Sequence, residues 1–178
     1  MGVWLLAVAS MERMMANLRS LYSVAVGKVS TIDGDTRSIS VDSITEPVQL
    51  CLIDGEHTDA AMRNDFLFCR KVLDKAGGAI VFHDSQITYN GIFVCIQDLT
   101  EDGVEFRAYN LPSVLFVVEF GNMSLHKHPE ILKRLINNHE GYLFGLRNND
   151  RYRRFANRFP FKQMRNTYVR FRKDSISY

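Results

Sequence analysis

The sequence predicts an α/β fold with a doubly wound, mostly parallel sheet whose last strand is antiparallel. Two observations support this prediction. Over residues 1–120, short apolar runs that are typical of strands buried on both faces alternate with segments of helical periodicity. The last two apolar runs of this region are separated only by a short turn, and such a turn allows only an antiparallel pair.

The first part of the chain predicts a strand, a helix and a second strand. Val3–Val8 is a continuous apolar run, and Ser10 can cap a helix that extends to about Tyr22, since apolar side chains recur on one face. Val26–Ile32 is the second predicted strand. It ends in turn-forming residues, which are Asp33, Gly34, Asp35 and Thr36.

A second strand–helix–strand unit occupies the middle of the chain. We predict strands at Pro47–Ile53 and Ala79–Phe82. Between them, Thr58–Leu73 is typical of a helix, which a Gly-Gly pair brings to an end. Its apolar positions can share one face, and they are Ala61, Phe66, Cys69, Val72 and Leu73.

Four further elements are predicted after this unit. A helix is expected at Gly91–Leu99, followed by strands at Val104–Tyr109 and Val114–Phe120 with an Asn-Leu-Pro turn between them. Pro129–Asn137 is typical of a helix that begins with proline.

The charge of the chain is unevenly distributed. The net charge is +2, yet residues 1–125 carry 9 Lys and Arg against 16 Asp and Glu, whereas residues 126–178 carry 13 against 4. We therefore predict an α/β domain over residues 1–125 and a basic, aromatic-rich, helical or irregular extension over residues 126–178. The extension either packs its aromatic rings on the domain, which we prefer, or binds nucleic acid or an acidic surface.

Composition excludes several classes of protein. No apolar stretch approaches the roughly 20 residues that span a bilayer. Cys51, Cys69 and Cys95 lack paired spacing, which indicates buried thiols in a reducing compartment rather than a disulfide framework or a zinc site. The apolar start of the chain lacks the basic residues of a secretion signal. We therefore expect a cytoplasmic protein without a membrane span, and a homo-oligomer stays open.

Acidic side chains follow three of the predicted strands. Asp33 and Asp35 come after the second strand, Asp54 after the third, and His83 and Asp84 after the fourth. Ligands of an open parallel sheet bind beyond the carboxyl ends of its strands. We therefore expect Asp54 and Asp84 to lie on one edge of the sheet, where they can grip a small ligand.

Such a cluster has three chemical uses. Carboxylates accept hydrogen bonds from a ribose or an ammonium group, and two or three of them can hold Mg²⁺. A nearby imidazole, from His57 or His83, can act as a general base. The alternative is that the aspartates only end strands and cap helices. The repetition on adjacent strands favours a function.

Two segments carry a family resemblance. In residues 47–85 an apolar strand ends in Ile53-Asp54-Gly55-Glu56-His57, then come Asp65, a Gly77-Gly78 turn, and a strand that ends in His83-Asp84. Upstream stands the segment VSTIDGDTRSI. Together they resemble the class I S-adenosylmethionine-dependent methyltransferases, in particular the group that includes antibiotic and sugar O-methyltransferases.

The resemblance implies a Rossmann-like sheet and methyl transfer from S-adenosylmethionine to an oxygen of a sugar or another small hydroxylated acceptor. It implies Asp54 and Asp84 as ligands of a divalent metal such as Mg²⁺, although His83 stands where some metal-using relatives have a carboxylate. His57 and His83 are the alternatives for the catalytic base. The implied cofactor contacts are Asp33, Gly34, Asp35, Thr36 and Asp54.

The chain departs from this family at its start. The first strand of the family ends in a glycine-rich turn that approaches the cofactor, and no such turn is found here. Alignment backwards from Asp54 puts Val3–Val8 on the second strand of the family, which predicts an N-terminally incomplete sheet. In a second register, Val26–Ile32 is that strand and Asp33 holds the ribose. An alternative function is an inactive methyltransferase-like remnant that binds partners through its basic extension.

Overall fold

The computed structural model describes residues 3–5, 11–21, 29–32 and 34–164. In this part of the chain, β1 (Val3–Leu5) and β2 (Val29–Thr31) form a parallel pair, and α1 (Met11–Leu21) lies between them in the chain. The predicted strand–helix–strand order and parallel pairing are confirmed. Ile32, the predicted last residue of the second strand, lies beyond the end of β2. The other residues of these predicted elements, with Ser10 and Asp33, lie outside the described residues.

A second sheet contains four strands in the order β3-β4-β6-β5. They are β3 (Leu50–Ile53), β4 (Gly77–Phe82), β5 (Phe106–Leu111) and β6 (Leu115–Gly121). β3 and β4 are parallel, and β6 runs antiparallel to both β4 and β5. Three strands therefore share one direction and only the last is reversed, as predicted. Because β6 lies between β4 and β5, however, only one of the three neighbouring pairs is parallel.

The helices of the middle region match their predicted positions. α2 (Asp59–Val72) is capped by Thr58, whose side-chain oxygen accepts a hydrogen bond from the amide of Ala61 at 3.2 Å. α3 (Tyr89–Glu101) contacts α2 closely, and the amide of Gly91 donates a 2.9 Å hydrogen bond to the Asp59 carboxylate. α2 thus lies within the predicted helix Thr58–Leu73, and α3 includes the predicted helix Gly91–Leu99.

The core lies between these helices and the centre of the sheet. The ring of Phe82 stacks on Phe66 with ring centroids 5.7 Å apart and meets Phe116 edge-on at 6.2 Å. All three cysteine thiols are free, and Cys69 and Cys95 are buried as predicted. Cys51 is only partly buried, contrary to the prediction, because β3 is the outermost described strand of its sheet.

The helix predicted at Pro129–Asn137 is shorter than expected. The observed helix α4 (Pro129–Leu132) has only four residues and follows a 3₁₀ turn at Leu125–Lys127. The chain then leaves the helical path because Ile136 pairs with Asn110 on the outer edge of β5, through N–O hydrogen bonds of 3.2 and 2.9 Å. Backbone pairing at this edge ends the helical pattern.

The chain divides into two compact units, residues 1–139 and 140–178. Helix α5 (His139–Ala156) begins at this division and makes up most of the second unit that is described. The predicted domain boundary after residue 125, and the packing of the extension on the domain, stay predictions. Among the described residues, no helix combines the length and the apolar character that a bilayer crossing requires.

Candidate active site

The polar cluster forms where β3 and β4 end side by side. Ile53 is the register partner of Phe82, and the ladder extends by one bond, from the amide of His83 to the carbonyl of Ile53 at 2.9 Å. Asp54 and His83, which follow these two residues, therefore lie at the same edge of the sheet. His83 Nδ1 lies 3.1 Å from Asp54 Oδ1 and 3.3 Å from Asp84 Oδ2. The predicted shared edge of Asp54 and Asp84 is confirmed.

His57 completes the cluster from the turn between β3 and α2. Its Nε2 lies 2.7 Å from Asp84 Oδ2. The side chains of His57 and Asp54 are about half exposed, at 50% and 53%, whereas Asp84 is 27% exposed. The cluster is thus open to a ligand on the side of His57 and Asp54, with Asp84 beneath them.

The donor set of this cluster fits a metal ion. One ligand atom each from Asp54, His83 and Asp84 lies within 4.8 Å of the others. His83 Nδ1 is buried and makes no hydrogen bond to any described residue, although two carboxylate oxygens are near it. A buried nitrogen without a hydrogen bond indicates a missing partner. An imidazole beside two carboxylates suits ions such as Mn²⁺ or Zn²⁺ better than Mg²⁺, which prefers oxygen ligands.

The backbone at Asp84 is strained and held in place. Asp84 has a φ of 49°, in the left-handed region that costs a non-glycine residue about 1–3 kcal/mol. The buried Ser85 anchors the turn, because its amide and its hydroxyl both donate to the carbonyl of Val114, at 3.0 and 2.7 Å. The β5–β6 turn thereby fixes the direction of the Asp84 carboxylate. Ser85 and Val114 are 29 residues apart in the sequence, so no local pattern predicted this anchor.

A cavity of about 460 Å³ adjoins the cluster. Its walls are the 34–37 turn, the end of β3 and the first turns of α2. The volume falls within the roughly 300–1,000 Å³ of small-molecule sites. Of the predicted cofactor contacts, Gly34, Asp35, Thr36 and Asp54 all line this cavity, and Asp33 lies outside the described residues. The structure thus brings the 34–36 turn and Asp54 together, and the role of these residues as cofactor contacts stays a prediction.

The cavity is acidic. Four carboxylates line it, those of Asp35, Asp54, Glu56 and Asp65, together with the guanidinium of Arg37. Hydrogen bonds from Arg37 hold the pKa of the Asp35 carboxyl down at about 2. This excess of negative charge favours a ligand that carries a positive charge or several hydroxyl groups.

A hydrogen bond joins the two sides of the cavity wall. Thr36 Oγ1 donates to Asp65 Oδ1 at 2.6 Å and so ties the 34–37 turn to α2. Burial raises the pKa of the Asp65 carboxyl, and the bond from Thr36 partly opposes that rise. A Cβ atom at Gly55 would come within 3.1 Å of Asp65 Oδ2, so the strand end also approaches this carboxylate closely. Asp65 belongs to the segment that carries the family resemblance, but its hydrogen bond with Thr36 was not predicted.

Asp54 connects the cavity with the cluster. It lines the cavity, and its Oδ1 is also the atom 3.1 Å from His83 Nδ1. A ligand in the cavity and a second molecule at the cluster would therefore be neighbours across one side chain. This arrangement suits a reaction that transfers a group between two bound molecules.

One comparison with known proteins gives a match, and it covers the segment that contains the site. A search of curated proteins finds no match to this chain. Residues 3–85 match the model of a protein family that is described as a methyltransferase domain, and this segment contains all the predicted site residues. The match supports methyl transfer that depends on S-adenosylmethionine as the activity of this segment, with S-adenosylmethionine as its cofactor.

Proposed function

We propose that this protein transfers a methyl group from S-adenosylmethionine to a hydroxyl of a sugar or another small acceptor. The proposal rests on the position of Asp54, which both lines the acidic cavity and belongs to the cluster with His83 and Asp84. The cavity is the cofactor site, and the cluster is the acceptor site.

The cavity residues fit the cofactor through charge and hydrogen bonding. S-Adenosylmethionine carries a sulfonium, which makes its methyl group electrophilic, together with an ammonium group and two ribose hydroxyls. Carboxylates accept hydrogen bonds from ammonium and hydroxyl donors. In the cavity, Asp54 can hold the ribose or the ammonium group, and Asp35 and Glu56 add negative charge that favours the cation.

His57 is the better placed of the two candidate bases. Its contact with Asp84 favours the tautomer in which Nε2 carries the proton, and this leaves Nδ1 able to accept one. The side chain is half exposed, so an acceptor hydroxyl can reach it. Asp84 then orients the ring and stabilises the imidazolium that forms. His83, whose Nδ1 is buried between two carboxylates, suits a metal ligand instead.

A divalent ion held by Asp54, His83 and Asp84 is part of the proposal. Such an ion would lower the pKa of a coordinated acceptor hydroxyl. The imidazole in the set leads us to expect Mn²⁺ to be more effective than the Mg²⁺ that the resemblance suggested. Asp54 and Asp84 orient the acceptor with or without an ion.

Titration calorimetry of the purified chain with S-adenosylmethionine tests the cofactor site. We expect binding that Asp54→Ala weakens about 10- to 100-fold, because a hydrogen bond to a charged group is lost. The matched control is Asp102→Ala, which removes an exposed carboxylate in the turn after α3. If the wild-type chain does not bind S-adenosylmethionine, the proposal fails and the inactive binding module is favoured instead.

Methyl transfer to a panel of sugars, measured with Mn²⁺, Mg²⁺ or a chelator, tests the chemistry. We expect His57→Gln to lower kcat about 100- to 10,000-fold, which is the range for loss of a general base. His128→Gln, at an exposed histidine outside the cluster, is the control. Equal activity of the His57 and His128 variants would contradict the assignment of the base. A cytoplasmic location and a homo-oligomer stay predictions.

A further inference from the structure

The C-terminal unit exposes large apolar side chains. Six of them between residues 144 and 164 are exposed by 41–78%, namely Phe144, Tyr152, Phe155, Phe159, Phe161 and Met164. Single exposed apolar residues are ordinary, but a dense group of them marks an interaction site. This surface lies outside the cavity and the cluster, so its role goes beyond the proposed methyl transfer.

Two of these side chains share one face of α5 with an arginine. Phe144, Arg151 and Phe155 stand at positions i, i+7 and i+11 of α5 and therefore share one face of the helix. Beyond the helix end, the ring of Phe161 lies against that of Phe155, with ring centroids 4.4 Å apart. Phe159, which is 78% exposed, follows in the same segment. We call these five residues the aromatic–arginine face.

The surroundings of this face are positively charged. Residues 140–164 contain six Lys and Arg against two Asp and Glu. Of the two acidic residues, Asp150 is bound by Arg154 at 2.7 Å. Arg151, Arg158 and Lys162 are exposed. The charge therefore fits an anionic partner.

We infer that the aromatic–arginine face docks on an anionic lipid surface. A helix with aromatic side chains on one face and flanking arginines lies in the plane of a membrane interface, with its rings among the acyl chains and its cations at the phosphates. Phe and Met suit this environment because they have no polar group to satisfy.

A single nucleic-acid strand fits the face less well. Base stacking requires a free face of an aromatic ring. The rings of Phe155 and Phe161 lie against each other at a centroid distance of 4.4 Å, so each offers a base at most one face. A flat lipid surface can also contact rings from successive turns of a convex helix at once, whereas a strand of bases needs a groove.

Co-sedimentation of the full chain with vesicles tests this inference. We expect binding to vesicles of phosphatidylcholine with phosphatidylserine, and little binding to phosphatidylcholine alone. Replacing Arg151 and Arg158 by Gln should weaken the partition about 5-fold for each arginine, because each cation near an anionic surface contributes a similar factor. Phe144→Gln with Phe155→Gln should abolish binding, because the inserted rings are lost.

Matched controls come from exposed residues of the first unit. Leu132 is 60% exposed and Arg134 has a side chain that is 67% exposed, so Leu132→Gln and Arg134→Gln should bind as the wild type does. Circular dichroism confirms that the variants fold. Equal binding to both kinds of vesicle, equal effects of test and control variants, or salt-sensitive binding to a single-stranded RNA oligomer without binding to vesicles would overturn the inference.

Discussion

The bond between Thr36 and Asp65 allows the sharpest test of how the cavity wall is held. Thr36→Val keeps the shape of the side chain but removes the donor of the 2.6 Å hydrogen bond to the Asp65 carboxylate. Hydrogen bonds to charged groups contribute about 1.5–3 kcal/mol. Both residues are half-buried, so water replaces part of the loss. We expect a destabilisation of about 1–2 kcal/mol.

Urea unfolding and thermal melting measure this change. For a chain of this size, about 1 kcal/mol corresponds to a shift in Tm of roughly 2–4 °C, so Thr36→Val should lower Tm by about 2–8 °C. Thr36→Ser keeps the hydroxyl and is the matched control. If the Val and Ser variants have the same stability, the bond does not hold the turn and the reasoning is refuted.

The pH dependence of the same variant has a definite sign. Burial raises the pKa of Asp65 in the folded protein, so its ionised form opposes folding at neutral pH, and protonation relieves this cost as the pH falls through the folded pKa. A protonated carboxyl is also a weaker acceptor for Thr36. The difference between Thr36→Val and the wild type should therefore shrink on acidification. Asp65→Asn, which keeps an acceptor without the charge, should be at least as stable as the wild type at pH 7.

Three further predictions concern the core. Gly91→Ala should destabilise the protein by about 1–3 kcal/mol in urea, because the added Cβ would lie 2.7 Å from the carbonyl oxygen of Asp59. Burial and a hydrogen bond to Glu119 raise the pKa of Tyr109 in the folded protein. The stability of the wild type should therefore fall as the pH rises above about 10, which is the pKa of an unfolded tyrosine. Chemical denaturation of Tyr109→Phe should show a smaller fall. Burial raises the pKa of the Cys95 thiol to about 12, so iodoacetamide at pH 8 should leave it unmodified in the native protein, as mass spectrometry can show.

Each of these predictions has an internal control. Gly145→Ala adds a Cβ that has no neighbour within 4 Å, so in helix α5 it should be neutral or stabilising. Tyr152→Phe, at an exposed tyrosine, should leave the alkaline profile unchanged. Cys51 is only partly buried and should be alkylated before Cys95. The packing argument would be contradicted if Gly145→Ala lowered the free energy of unfolding as much as Gly91→Ala does. Equal alkylation of Cys51 and Cys95 would contradict it as well.

Local signals predicted the elements that carry the site. The helix expected at Thr58–Leu73 is observed at Asp59–Val72, because one apolar face and a glycine pair together indicate nearly the same bounds. The strands before Asp54 and Asp84 were predicted from their apolar runs, and parallel pairing then requires a common edge. The positions of the two carboxylates therefore follow from features that lie within 40 residues of each other.

Contacts between distant residues were not predictable in the same way. The expected helix at Pro129–Asn137 stops early because Ile136 meets a strand edge that no local pattern reveals. Glu119 is a charged residue that is buried in an otherwise apolar strand. Tyr109 and His126 hydrogen-bond to its carboxylate at 2.6 Å and 2.5 Å and so allow this burial. Such partners depend on how the elements pack, which hydrophobic periodicity leaves open.

The described strands also explain why the Thr36–Asp65 bond matters to the site. β1 pairs only with β2 among the described residues, and β3 is the edge of a separate sheet whose Leu50 and Leu52 are 55% and 57% exposed. In a continuous sheet, backbone pairing would set the distance between the turn after β2 and the end of β3. Here no ladder of described strands joins them, and the Thr36–Asp65 hydrogen bond is a direct contact that ties the turn to α2 instead. The cluster at Asp54, set by the β3–β4 pairing, should therefore survive substitutions at Thr36 that open the cavity.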